Sequence, residues 1–247
     1  MIFYKMFSRK WLPITILVLI AAIVCGRLGV WQLDRLAERR VFNAHVHAMQ
    51  AMQPLLLPVQ IDLTNMEYRA VKVSGTYDFA NQVAIRNQFY NNVFGYHLLT
   101  PFRLIDDTAI LVDRGWIPSD GNSLPADWQK YDRSGVITLN GVIRLSQTAV
   151  SFGGVDDPTL TPVQTRLDFW VYVNLGRIQE QMPYSILPVY IQLDPEPNRT
   201  TPPIPYQPEL DLSEGPHQSY AIQWFSFGTL FLVGYPIYMN RQESRKS

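Results

Sequence analysis

The chain has 247 residues, 47% of them hydrophobic, and 21 Lys plus Arg are balanced by 21 Asp plus Glu. That length allows one or two domains, and the balanced charge provides no global field to recruit nucleic acid, so nucleic-acid binding is excluded as a main role. The only cysteine, Cys25, lies inside an apolar run, which excludes an intrachain disulfide, a C-x-x-C redox pair and a thiolate metal cage.

In chain order, a basic lead with Lys5, Arg9 and Lys10 (residues 1–10) precedes an apolar run from Trp11 to Gly26 that resumes as Leu28–Leu33 after a single Arg27. About 23 residues are long enough to span a bilayer with tilt, and an arginine near the end can snorkel to the interface. The same order describes a signal peptide, but no small-x-small site closes the run, so residues 11–33 are expected to be an uncleaved anchor. Ala22, Cys25, Gly26 and Gly29 form a small-residue stripe suited to close packing by another helix. Arg27, Trp31 and Arg35 follow at four-residue spacing with Asp34 and Glu38 nearby, which predicts a helix running out of the membrane to about Met52, ended by Pro54.

The middle of the chain reads as short strands: Tyr68–Ser74, Gln82–Asn87, Tyr96–Phe102, Ala109–Arg114, Val136–Arg144, Trp170–Leu175 and Val189–Leu193. Turns are expected at Asn87–Asn92, at Asp106-Asp107 and at Gly75, where a strand should close; Asn174 should cap a short helix that Pro183 stops. The fold class is therefore an α+β membrane protein, with two transmembrane helices flanking a β-rich body (residues 34–216) that is an antiparallel sheet or small barrel. Ser119–Asp132 reads as a polar loop around Trp128, and Glu196–Pro216, with six prolines, reads as an extended lead that cannot enter a sheet interior.

The last hydrophobic run, residues 217–239, carries no formal charge from Gln218 to Asn240 and reads as the second span, leaving 240–247 as a tail. His217, Tyr220, Ala221, Trp224 and Gly228 share one face of it. Such a face can hold a large planar ligand or another helix, and the aromatic residues also match an interface belt. Two spans put both tails on one side; six basic residues in the tails against five on the loop-side flanks favour the cytoplasm, with the body outside.

Catalytic patterns are absent: no G-x-S-x-G, phosphate loop, H-E-x-x-H or marked carboxylate pair occurs, which argues against an enzyme. His45 and His47 point to different faces of a helix, and His97 sits among apolar strand residues as a core or edge histidine. His217 alone has a setting suited to one axial haem ligand.

Four stretches, LGVWQLDRLAERR (Leu28–Arg40), YRAVKVSGTYD (Tyr68–Asp78), ILVDRGWIP (Ile110–Pro118) and HQSYAIQWF (His217–Phe225), resemble, in order, elements of the Surfeit locus protein 1 family of cytochrome c oxidase assembly factors. The resemblance implies an inner-membrane protein of two helices with a β-rich periplasmic body, which helps haem a reach the oxidase catalytic subunit, with haem a synthase as a further partner. It assigns His217 to haem a, with Tyr220 and Trp224 flanking it, and gives Trp31, Gln32, Arg35, Gly75, Arg114, Gly115 and Trp116 structural or partner roles. Asp113 and Gln218 depart from the family pattern. The alternative is a scaffold that stabilises the nascent oxidase subunit without touching haem. The absence of an Arg- and Ser-rich leader favours a bacterial member.

Overall fold

The computed structural model describes residue 4 and residues 6–58, 61–148 and 154–245; Lys5 and Lys246, used above to weigh orientation, lie outside this set. The chain divides into two units, Met1–His45 with Asp211–Ser247, and Val46–Leu210.

In the first unit, α1 (Leu12–Ala51) is one continuous helix that ends just before Pro54, as its sequence requires. Among the described helices it is the one long and apolar enough to cross a membrane by length and composition, and its Ile16, Leu17, Ile20 and Ile23 side chains face outward. A second helix spans His217–Ser244, called α3 here because a short helix precedes it in the chain, and it carries Pro236 in its interior. The two run antiparallel. Ala22 and Cys25 are buried, a Cβ placed on Gly228 would stand 3.5 Å from that of Cys25, and one on Gly29 would overlap the Phe225 ring at 2.6 Å. The small-residue stripe thus serves helix pairing, except for Gly26, which faces open space.

Polar contacts tie the pair at both ends. At one end the Thr15 and Tyr235 hydroxyls are 2.6 Å apart, while Lys10 Nζ and Trp11 Nε1 donate to Glu243 at 2.7 and 3.0 Å. At the other, Arg40 makes a two-pronged pair with Glu214 at 2.8 and 2.9 Å, and Asn43 Nδ2 donates to the Leu212 carbonyl. Exposed ion pairs contribute little singly; their value here is in fixing the register.

The second unit is built on eight strands: β1 Leu55–Leu57, β2 Ala70–Tyr77, β3 Val83–Tyr90, β4 Val93–Leu104, β5 Ala109–Pro118, β6 Ile137–Leu145, β7 Phe169–Trp170 and β8 Ile186–Leu193. Strands β2, β6, β8, β5 and β4 close into a five-stranded barrel, because β2 pairs with β6 on one side and with β4 on the other. The barrel alternative is the one adopted, but the sheet is mixed: β5 and β8, β1 and β2, and β3 and β7 pair in parallel. The crossover β-structure from β5 to β8 allows this and no local pattern announces it.

Alternation decides what the barrel holds. Val71, Val73, Phe102, Ile110, Val112, Ile143, Val189 and Ile191 fill its interior. The opposite faces of β3, β4, β5 and β8 form a second core with Trp170, Val173, Leu175, Ile178 and Met182, supplied by the segment around α2 (Leu175–Gln179). Asn174 caps α2 as expected, accepting from the Arg177 N–H at 3.1 Å.

Three sequence expectations are corrected, and a fourth stands with an addition, since the proline-rich segment enters no strand but makes one bridge. Gly75 lies within β2, not at its end, paired to Leu104 and Ile137 at the closure of the barrel; a Cβ there would strike the Arg103 carbonyl oxygen, so close approach rather than a turn requires glycine. Trp170–Leu175 is strand only at Phe169–Trp170, since Asn174 starts a helix. Ser119–Asp132 contains a 3₁₀ helix, Pro125–Tyr131, which buries Trp128 against Ala84, Leu98 and Ile117. In the proline-rich segment, Ile204 keeps its N–H and forms an antiparallel bridge with Trp116, both bonds at 2.8 Å.

Candidate functional site

The first candidate centre is at the head of α3. His217 is half-buried, and its Nδ1 lies 2.7 Å from Oε1 of Gln32, a buried residue of α1. A carbonyl oxygen only accepts, so Nδ1 carries the proton and Nε2 keeps its lone pair in the neutral ring. Gly215 precedes the helix at φ +67°, a left-handed conformation that favours glycine there. The remaining residues of that helical face divide. Ala221 and Gly228 are taken up by α1, Tyr220 is exposed, and Trp224 stands edge-on to Phe227 at 6.1 Å. Trp31 is also exposed, with the Arg35 guanidinium 5.9 Å from its ring and Arg35 itself 2.8 Å from Glu38. Sequence spacing located Gln32 and His217 separately; the antiparallel register brings them together.

The second group, Arg114, Gly115 and Trp116, lies on β5 within the barrel unit. Arg114 is buried with its guanidinium 5.0 Å from both the Tyr77 and Phe79 rings, and it donates to Gln82 Oε1 at 3.3 Å and to the Tyr131 carbonyl. Burial pulls its pKa down and the nearby Asp132 carboxylate pushes it up, leaving a net fall. Gly115, at φ +110°, lets the Ile204–Pro205 backbone pass where a side chain would stand. Trp116 is buried against the Tyr90 ring, 5.5 Å away. All three positions thus serve internal packing, joining the proline-rich segment to the barrel.

A third cluster escaped the sequence reading. His97 Nδ1 contacts both carboxylate oxygens of Asp113, at 3.1 and 2.9 Å, and both residues are buried. Asp113 Oδ1 also accepts from the Gly115 N–H at 2.9 Å. Burial works to lower the His97 pKa, but the Asp113 charge and hydrogen bond outweigh it and raise it above the ordinary value. The residues are 16 apart in sequence and meet only because the β4–β5 ladder shifts register between His97 and Leu99. The departure at Asp113 was the available signal.

One helix long and apolar enough to cross a membrane, paired with a second helix, and a closed five-stranded barrel fit a membrane-associated protein with a β-rich domain. The chain belongs to the SURF1 family, whose model matches residues 19–229. It is 26% identical over 240 residues to a SURF1-like protein of Monosiga brevicollis, covering 91% of this chain and 87% of that one. It is 27% identical to Surfeit locus protein 1 of Mus musculus over 225 residues, covering 85% and 70%. It is likewise 26% identical to a SURF1-like protein of Rickettsia prowazekii (strain Madrid E) over 237 residues, covering 92% and 90%.

Proposed function

We propose that this protein is a non-enzymatic assembly factor for haem-copper (cytochrome c) oxidase that holds haem a transiently through His217 for delivery to the catalytic subunit. Family membership supports the assembly role. The single observation that carries the haem role is the His217–Gln32 pair, which fixes the ring through Nδ1 and leaves Nε2 for a ligand. The donor set, one imidazole nitrogen, would supply a single ligand to a haem iron. Haem a, when bound, supplies an iron that accepts the imidazole lone pair. Gln32 orients the ring, and Tyr220 and Trp224 offer flat apolar surface on the same helix. A single ligand suits release as well as capture.

In this reading α3 is the second span. Eighteen residues separate His217 from Tyr235, about 27 Å at 1.5 Å per residue, close to a hydrocarbon layer of about 30 Å. Ile222, Leu230, Leu232, Val233 and Ile237 face outward along that length, which favours lipid as their surroundings. Both tails then lie in the cytoplasm of a bacterium and the barrel unit in the periplasm, where it meets the oxidase subunit and haem a synthase. Affinity capture of the full chain from cells that make haem a tests this. Recovery of the oxidase catalytic subunit together with haem a supports the role, and capture of neither refutes it.

A further inference from the structure

The barrel unit contains a cavity of about 210 Å³ on the outer face of the barrel, lined by His97, Asp113, Arg144, Tyr190 and Gln192, with Phe89, Tyr172 and Tyr206 among its aromatic walls. All of these lie within one unit of the chain. The strand register explains the convergence. Gln192 on β8 stands opposite both Asp113 on β5 and Val142 on β6, and Tyr190 stands opposite Leu111 and Arg144. Because side chains alternate, positions 190 and 192 share a face with 111 and 113 and with 142 and 144. The interior-facing Ile191, Val112 and Ile143 are on the other side.

Two donors on this wall, the Tyr190 hydroxyl and Arg144 Nη2, are used by no described residue, and His97 Nε2 becomes a third when the ring is protonated. His97 is 8% exposed and spends Nδ1 on Asp113, which leaves Nε2 without a partner. Tyr190 is 7% exposed, and its hydroxyl has no hydrogen bond among the described residues; burial raises its pKa, so it stays protonated. Arg144 commits Nε to Glu67 at 3.2 Å and Nη1 to Gln192 at 2.9 Å, which leaves Nη2. The Asp113 carboxylate is already engaged by His97 and by the Gly115 N–H. These groups border the cavity, where they are free to meet an acceptor on an incoming molecule.

We propose that this cavity binds a small carboxylate-bearing molecule of about one aromatic ring, its carboxylate received by His97, Tyr190 and Arg144 and its ring by Phe89, Tyr172 and Tyr206. The volume is below the 300 Å³ or so at which drug-sized pockets begin, which limits the occupant to a small compound. The site is chemically independent of His217. The ionisable groups facing His97 in this cleft are Asp113 on β5, Arg144 on β6, Tyr190 on β8, and Tyr172 and Tyr206 from the flanking segments. Protonation of His97 therefore strengthens binding, and affinity falls as pH rises through the raised histidine pKa.

The test uses the full-length protein in detergent, with benzoate as probe and benzamide and inorganic phosphate as controls, followed by calorimetry at pH 6 and pH 9. Benzoate should bind at least tenfold tighter than either control at pH 6, and weaken at pH 9. His97→Gln should abolish the preference for benzoate over benzamide, and Tyr190→Phe should weaken benzoate several-fold while near-ultraviolet circular dichroism remains that of the parent. His217→Ala should leave benzoate binding unchanged. Equal binding of benzoate and benzamide, phosphate binding as tight as benzoate, or benzoate binding undiminished in both cavity variants would overturn the proposal. If His97→Gln does not fold, Tyr190→Phe carries the same decision alone.

Discussion

Replacing Asp113 by Asn tests the energetics of the barrel unit through one atom-for-atom change. In the parent, the carboxylate takes the His97 Nδ1–H at 2.9 Å and the Gly115 N–H at 2.9 Å, all in a buried setting. A hydrogen bond to a charged group contributes about 1.5–3 kcal/mol, and the Asn oxygen can still accept from Gly115, so the expected loss at pH 6 is about 2 kcal/mol. For a unit of this size, that corresponds to a fall of roughly 4–8 °C in melting temperature. The sign of the pH dependence follows from the raised His97 pKa. A group whose folded pKa exceeds its unfolded one contributes stability that is complete below the unfolded value and lost as pH rises through the folded value. The cost of Asp113→Asn should therefore be largest below about pH 6.5 and shrink at pH 9. Thermal melts of parent and variant in detergent, followed by near-ultraviolet circular dichroism at both pH values, measure it. An equal cost at the two pH values, or a loss under about 0.5 kcal/mol at pH 6, refutes the assigned pairing.

Gly228→Cys should form a disulfide with Cys25 on mild oxidation, because a Cβ at 228 would lie 3.5 Å from that of Cys25, within the range such bonds use. Loss of maleimide labelling in the oxidised monomer checks it, and two free thiols after oxidation would contradict the helix pairing. Gly75→Ala should cost about 3 kcal/mol, because the new methyl meets backbone at the barrel closure; urea denaturation reads this loss. Gln32→Leu removes the acceptor that orients His217 and should weaken haem retention about 10–100-fold with little change in expression, measured by haem transfer to an apo-globin acceptor.

Much of the helix pair was legible because its signals are local. Pro54 ended α1 where expected, and the stripe of Ala22, Cys25 and Gly29 has one use in a long apolar helix. Strand existence was equally local: alternation around Val71 and Val73 identified β2, whose outer limit the sequence reading misplaced by taking Gly75 as a turn. Glycine carries the same letter for a turn and for a close approach, and only the pairing of β2 with β4 distinguishes them. Long-range register explains the other failures. The closure of the barrel, the parallel β5–β8 ladder and the meeting of His97 with Asp113 all depend on which strand lies beside which. The bridge between Trp116 and Ile204 turned on one residue without a proline ring inside a proline-rich segment. Motif order, by contrast, identified the family before any contact was visible, because each short match fixes spacing as well as residue type.

The most direct measurement of the central claim is the visible absorption spectrum of the purified full chain from cells that make haem a, compared with that of His217→Ala prepared identically. The parent should carry haem a bands and the variant should lose them while keeping the same melting temperature. Equal haem content in the two proteins would contradict the assignment of His217 as the ligand.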